Sequence, residues 1–150
     1  MRHRVLVVAA VASLAVAASA HAATYDIQPL NDDGKFLGCM ALNQADGVVL
    51  LAVENGLAVL VTSPAFKVAK GDAVSGTWSI DDSKSRPLSE RANGDGTVSI
   101  DLALTKADFA MLGDGEELEV KLGKVTKTFS LAGSSKGLAG LSACMKDAGK

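Results

Sequence analysis

Apolar and polar residues along this chain alternate in short blocks, and nearly every block is closed by a turn dipeptide. Val48–Val53 and Leu57–Val61 are aliphatic runs on either side of Asn55-Gly56, the strongest short-range signature of a β-hairpin. Lys35–Asn43 precedes them across the turn Asp46-Gly47, so the three runs predict an antiparallel meander. Further on, Val98, Ile100, Leu102 and Leu104 alternate with mostly polar partners, the period of a half-buried strand. Leu118, Val120 and Leu122 repeat that spacing, and Val125–Leu131 predicts a last strand. Val74–Ile80 is a strand around the single tryptophan, Trp78, and Ser85–Ala92 is an edge strand because Pro87 cannot donate to a ladder. Thr24–Leu30 reads as a lead-in before the polar turn Asn31–Gly34, Asp81–Lys84 as a turn, and Asn93–Gly96 as a hairpin turn.

Two stretches leave the β pattern. Thr105-Lys-Ala-Asp108 has capping-box spacing, with Asp in place of the usual Glu or Gln, and predicts a short helix through Leu112. After the last strand, Ser134 or Ser135 is suited to cap a closing helix. At 100° per residue, Leu138, Leu141 and Met145 form one stripe of it, with Gly137, Gly140 and Cys144 beside them. Two glycines inside a helix cost about 1 kcal/mol each relative to alanine, so their use is close approach to a sheet. The predicted fold is all-β: an antiparallel sandwich or small barrel of about seven or eight strands, closed by a short C-terminal helix.

The N-terminus changes the compartment. Met1–Arg4 is basic, Val5 to Ala18 is apolar, and Ala20-His21-Ala22 has the small residues of a signal-peptidase site. An interrupted apolar run of about 16 residues falls short of the ~20 that a membrane span needs. Residues 1–22 are therefore read as a cleavable signal peptide and residues 23–150 as one domain, periplasmic or secreted, without a transmembrane anchor. Removing the leader takes away two arginines and leaves 13 Lys+Arg against 17 Asp+Glu, a net charge of −4 with interspersed signs. That pattern argues against nucleic acid as a partner. The two cysteines, Cys39 and Cys144, are each other's only intrachain candidates, and in an oxidising compartment they predict one disulfide.

Candidate chemistry narrows quickly. Gly133-Ser-Ser-Lys-Gly137 matches the nucleophile-elbow pattern around Ser135, yet both histidines, His3 and His21, belong to the leader, so no imidazole base remains. The same absence, with both cysteines paired, removes ordinary zinc and copper sites. Asn93-Gly-Asp-Gly96 resembles the middle of an EF-hand loop, but Arg91 and Leu102 stand where anchoring carboxylates belong. Asp32/Asp33, Asp81/Asp82 and Glu116/Glu117 are adjacent acids in turns or at strand ends. No cofactor is expected, and the chain reads as a non-enzyme.

One feature resists a purely structural reading. Val48–Val53 is apolar at every position and Leu57–Val61 nearly so, whereas a strand with one solvated face alternates. Either both faces are buried, or the hairpin offers an apolar surface, with Val48, Leu50, Leu57, Val59 and Val61 as candidate residues for a protein partner, a lipid or another envelope component.

Cys39-Met-Ala41, the aliphatic hairpin and the ending Phe129-Ser-Leu-Ala-Gly-Ser-Ser-Lys-Gly-Leu-Ala-Gly-Leu-Ser-Ala-Cys144 resemble the invasion-associated locus B family of exported alphaproteobacterial proteins. The resemblance covers most of residues 36–146, and its distinctive part is the final 16 residues. It implies a small periplasmic β-sandwich closed by a C-terminal helix, a role linked to host-cell entry, and no catalytic residues. The expected function is thus an exported, non-enzymatic binding or envelope-associated protein. Two alternatives stand beside it. One is a periplasmic protease inhibitor using Thr24–Leu30 as an inserting arm. The other is a carboxylate-dependent hydrolase, which requires acids from different loops to converge in a pocket.

Overall fold

The computed structural model describes residues 24–103 and 105–148. The predicted leader, residues 1–22, and Leu104 lie outside them. In chain order the elements are β1 (Asp26–Asp32), β2 (Lys35–Asn43), β3 (Val48–Val53), β4 (Gly56–Thr62), β5 (Ala73–Ile80), β6 (Arg86–Arg91) and β7 (Thr97–Leu102). They continue with α1 (Lys106–Asp114), β8 (Glu117–Leu122), β9 (Val125–Ser130) and α2 (Ser134–Ala148). Five strands form one sheet in the order β1-β2-β3-β4-β7, and four form the other in the order β6-β5-β8-β9. All pairings are antiparallel. The two sheets share one core and neither closes on itself, so the architecture is sandwich-like and not a closed barrel.

The meander is present, with one strand more than the hydrophobic pattern showed. Asp26–Asp32 is no lead-in: it pairs along its whole length with β2. Its turn is Asp33-Gly34, both at positive φ (47° and 78°), as a two-residue type I′ hairpin requires. The strand hid because Pro29 and polar residues break its periodicity, which an edge strand tolerates. At the β3–β4 hairpin the loop residues are Glu54 and Asn55, with Gly56 already paired to Val53. Asn93–Gly96 is not the turn of a hairpin, because β6 and β7 belong to different sheets. It carries the chain from one sheet to the other and is docked on the preceding loop by Gly96 N–H to Val68 O (2.9 Å) and Ser63 N–H to Gly96 O (2.9 Å). β6, with Pro87, does lie at a sheet edge.

Periodicity sets the core. Ala41, Val48, Leu50, Val59, Val61, Val98 and Ile100 face inward from the first sheet, and Trp78, Ile80, Leu118, Val120 and Phe129 from the second. Arg86 stacks its guanidinium 5.2 Å from the Trp78 ring and bonds the buried Asp108 of α1 at 3.1 Å. Thr105 caps α1 as expected, accepting from the Asp108 N–H at 3.1 Å. The Asp108 carboxylate is thus committed to Arg86 in place of the reciprocal capping bond.

α2 closes the inner side of β1, β2 and β3. Leu138 and Leu141 are buried, and Met145 packs against the core. A Cβ on Gly137 would lie 2.9 Å from Cγ of the Tyr25 ring and 3.3 Å from Leu50 Cδ1, and one on Gly140 would lie 2.6 Å from Ile27 Cδ1. The glycines therefore set the helix-to-sheet distance. At that distance Cys144 reaches Cys39, and the two form a disulfide with Cα atoms 6.2 Å apart, joining positions 105 apart in sequence. Neither serine caps α2: Ser135 is exposed, and the Ser134 hydroxyl donates instead to Leu112 O at 2.7 Å, tying the helix start to α1.

A link across 105 residues stabilises by about 4–5 kcal/mol in the chain-entropy model. Reduction, or a Cys39→Ser/Cys144→Ser double substitution, is expected to lower the urea-unfolding free energy by roughly 3–5 kcal/mol. Gly137→Ala is expected to cost about 1–2 kcal/mol, because overpacking of the Tyr25 ring outweighs the gain in helix propensity. Gly140→Ala should cost at least as much, since its Cβ meets Ile27 Cγ1 as well as Cδ1 at 2.6 Å, and Cγ1 adjoins the stiff branch point of that side chain. Unchanged or raised stability of either variant in urea titrations would contradict this account of the glycine stripe.

Candidate functional site

A strand's successive side chains point to opposite sheet faces, and the register separates the apolar hairpin into two sets. Val48, Leu50, Leu57, Val59 and Val61, the candidate partner-binding residues, are at most 2% exposed. They are core, enclosed by the sheet and what covers it, although Leu57 also borders the surface grooves at the hairpin end. The accessible set is the other one. Leu42 pairs with Val49, Met40 with Leu51, Val49 with Leu60, and Leu51 with Ala58. These six side chains are half-buried, none of them packs against the core, and Val53 at the hairpin end is 37% exposed.

The first sheet therefore has an apolar inner face under α2 and the second sheet, and an apolar outer face away from both. An open groove of about 380 Å³ runs along the outer face past Leu51, Val53, Ala58 and Leu60 to Ser99 and Asp101. Acidic residues stand at the two edges of this face: Asp26 beside Leu42 on β1, and Asp101 beside Ala58 on β7. The sequence signalled a hairpin apolar on both faces, but which parity points outward depends on the register and on where α2 lies.

The other sequence candidates fall in clefts at the opposite end of the molecule. Ser135 lines an open cleft of about 910 Å³ with Asp46, Glu116, Glu117 and Ser130, among others. Among the described residues there is no histidine beside it. A neighbouring cleft of about 360 Å³ does bring Asp81 and Asp82 together with Glu116, Glu117 and Glu119. The convergence that a carboxylate hydrolase needs is thus met in part. However, the Asp81 carboxylate accepts from the N–H groups of Glu116 and Glu117 at 2.9–3.3 Å, which fixes the start of β8. The remaining lining, Thr128 included, has no apolar wall of the kind that sets paired carboxylates apart for acid–base work. Asp32 and Asp33 lie elsewhere, at the β1–β2 turn. Among the described residues no group of three or more His, Cys, Asp or Glu has the arrangement of a metal site.

One buried polar group was not visible in the sequence. The Tyr25 hydroxyl is buried without a well-formed hydrogen bond, near Asn43 and Asp46, which bond each other at 2.8 Å. Burial pushes the Tyr25 phenol above its usual range, the nearby Asn43 amide pulls it partly back, and Asp46 raises it again.

Among solved structures, the crystal structure of invasion associated protein B from Bartonella henselae is similar, with a TM-score of 0.56 at 20% identity. The match covers 83% of this chain and 95% of that one. The likeness is one of fold. It agrees with the family resemblance carried by the Phe129–Cys144 ending. No family model matches the chain, and no curated protein matches it in sequence. Among the described residues no helix is long and apolar enough to cross a membrane.

Because the folded phenol holds its proton more tightly than the unfolded one, the stability it contributes is complete below about pH 10. It is lost as pH rises through the raised folded value. Denaturant titrations should show a stability decline above about pH 10 that Tyr25→Phe reduces, whereas the unchanged decline in that variant would assign it to other groups.

Proposed function

We propose that this chain is an exported, non-catalytic binding module whose working surface is the outer face of its five-stranded sheet. The observation that carries the reading is the apolar patch of Met40, Leu42, Val49, Leu51, Ala58 and Leu60, half-buried by its own neighbours and separate from the core. Contiguous apolar surface of this kind on an otherwise well-covered domain usually marks a contact site. The acidic flanks at Asp26 and Asp101 favour a protein partner that presents an apolar anchor bordered by basic residues. Export is supported by the leader-like N-terminus and by the Cys39–Cys144 disulfide, which persists in oxidising compartments. A link to host-cell entry rests on the resemblance and on the name of the structural neighbour.

The inhibitor alternative loses support from the structure. Its inserting arm, Thr24–Leu30, is paired with β2 from Asp26 onward, and Tyr25 is held under Gly137. The hydrolase alternative retains its acidic cleft, but the best-placed carboxylate there, Asp81, is already engaged by two backbone amides.

The test separates the two faces. Leu50→Asp buries a charge at a fully enclosed position, which costs several kcal/mol, and is expected to prevent folding. Leu51→Asp and Leu60→Asp lie on the outer face and are expected to fold with losses within about 1 kcal/mol. Affinity capture from periplasmic extract with the natural chain should then retain a protein that both outer-face variants lose. Retention of the same protein by the folded Leu51→Asp and Leu60→Asp variants would refute this assignment of the surface.

A further inference from the structure

We propose that the groove between α2 and the tip of the β3–β4 hairpin is a binding site for a single medium-length alkyl chain ending in a carboxylate. The groove meets the outer-face groove at Val53 and Leu57, which line both, and departs from it in the wall that Phe109 of α1 and Leu141 and Met145 of α2 supply on the inner side of the sheet. Its lining includes Ala52, Leu57, Phe109, Leu141 and Met145. Leu57 and Leu141, each 2% exposed, are its floor, and the half-buried Phe109 and Met145 are walls that pack against the core. Ala52 and Leu57 are directly paired across the hairpin, so the floor is rigid sheet. Met145 contributes an unbranched side chain that adjusts to an irregular guest.

Size and polarity select the guest. The groove measures about 310 Å³, at the lower end of small-molecule sites. With a methylene taken as about the size of a water molecule, ~30 Å³, it accommodates roughly ten carbons. Its polar side chains, Glu54, Ser142 and Lys146, belong to exposed residues at the rim. A peptide laid into the groove would leave backbone N–H and C=O groups without partners on an apolar floor, which is costly, whereas an alkyl chain has none to satisfy. Lys146 is the cation at the mouth, and among the described residues the single ion pair is Arg86–Asp108, so Lys146 is not neutralised by Glu54. A carboxylate head is therefore directed to the α2 side of the mouth, away from the Glu54 side.

The decisive measurement is isothermal titration calorimetry of the disulfide-intact chain with dodecanoate, decanoate and octanoate, each below its micelle concentration and at neutral pH. The expected result is saturable one-to-one binding that weakens about fifteen-fold for each two carbons removed, as follows from ~0.8 kcal/mol per buried methylene. Met145→Glu, which puts a charge in the wall, should abolish binding, and Met145→Trp, which fills the groove, serves the same purpose if the first variant fails to fold. Lys146→Glu should weaken dodecanoate by up to about five-fold, the scale of an exposed ion pair, while improving dodecyltrimethylammonium. Leu51→Asp should leave binding unchanged. The proposal is overturned by an absence of saturable binding to dodecanoate. It is equally overturned by binding that folded Met145 variants retain, by affinity independent of chain length, or by binding that Leu51→Asp removes, which would place the chain on the outer face. Binding of an apolar peptide but of no alkyl carboxylate would also reject it.

Discussion

Close contact between α2 and the first sheet is the constraint on which the rest of this molecule depends. Gly137 and Gly140 let the helix come down onto Tyr25, Leu50 and Ile27, and only at that distance does the disulfide close. The helix then does for β1, β2 and β3 what a second sheet would do in a full sandwich. The second sheet covers the remainder. With one face of the five-stranded sheet committed to the core, its other face is left outside the core and apolar.

That division explains why some features were legible in the sequence and others were not. Local chemistry could be read directly: the aliphatic hairpin, the edge strand marked by Pro87, the Thr105 cap and the pairing of Cys39 with Cys144 all follow from residue type and spacing. Features decided by tertiary position could not. β1 lacks periodicity because an edge strand partly exposed on both faces is under little pressure to alternate, although Asp33-Gly34 already carried the turn signal. Asn93–Gly96 has hairpin chemistry, but no local residue records whether the next strand returns to the same sheet. Ser134 is a good cap by type, yet the carbonyl of Leu112, 22 residues away, takes its hydroxyl.

The candidate site shows the same limit most clearly. A run apolar at every position says that both faces are unusual, and says nothing of which parity is covered. Val48, Leu50, Leu57, Val59 and Val61 are the face that holds the domain together. Met40, Val49, Leu51 and Leu60 are what remains to be touched. The distinction between them is a single-residue step in register, the smallest displacement that exchanges a sheet's two faces.

The disulfide has a consequence for how the chain matures. Its two cysteines leave no thiol over within the described residues, so within one molecule there is a single way to pair and no scrambled isomer to correct. Cys39 precedes its partner by 105 positions, so an oxidant meeting a chain that emerges from its N-terminus finds a single thiol first. The available error is a bond between two molecules, through thiol exchange with a neighbour. Quality control for this domain is therefore a matter of timing and concentration, with no reshuffling of wrong intrachain bonds required.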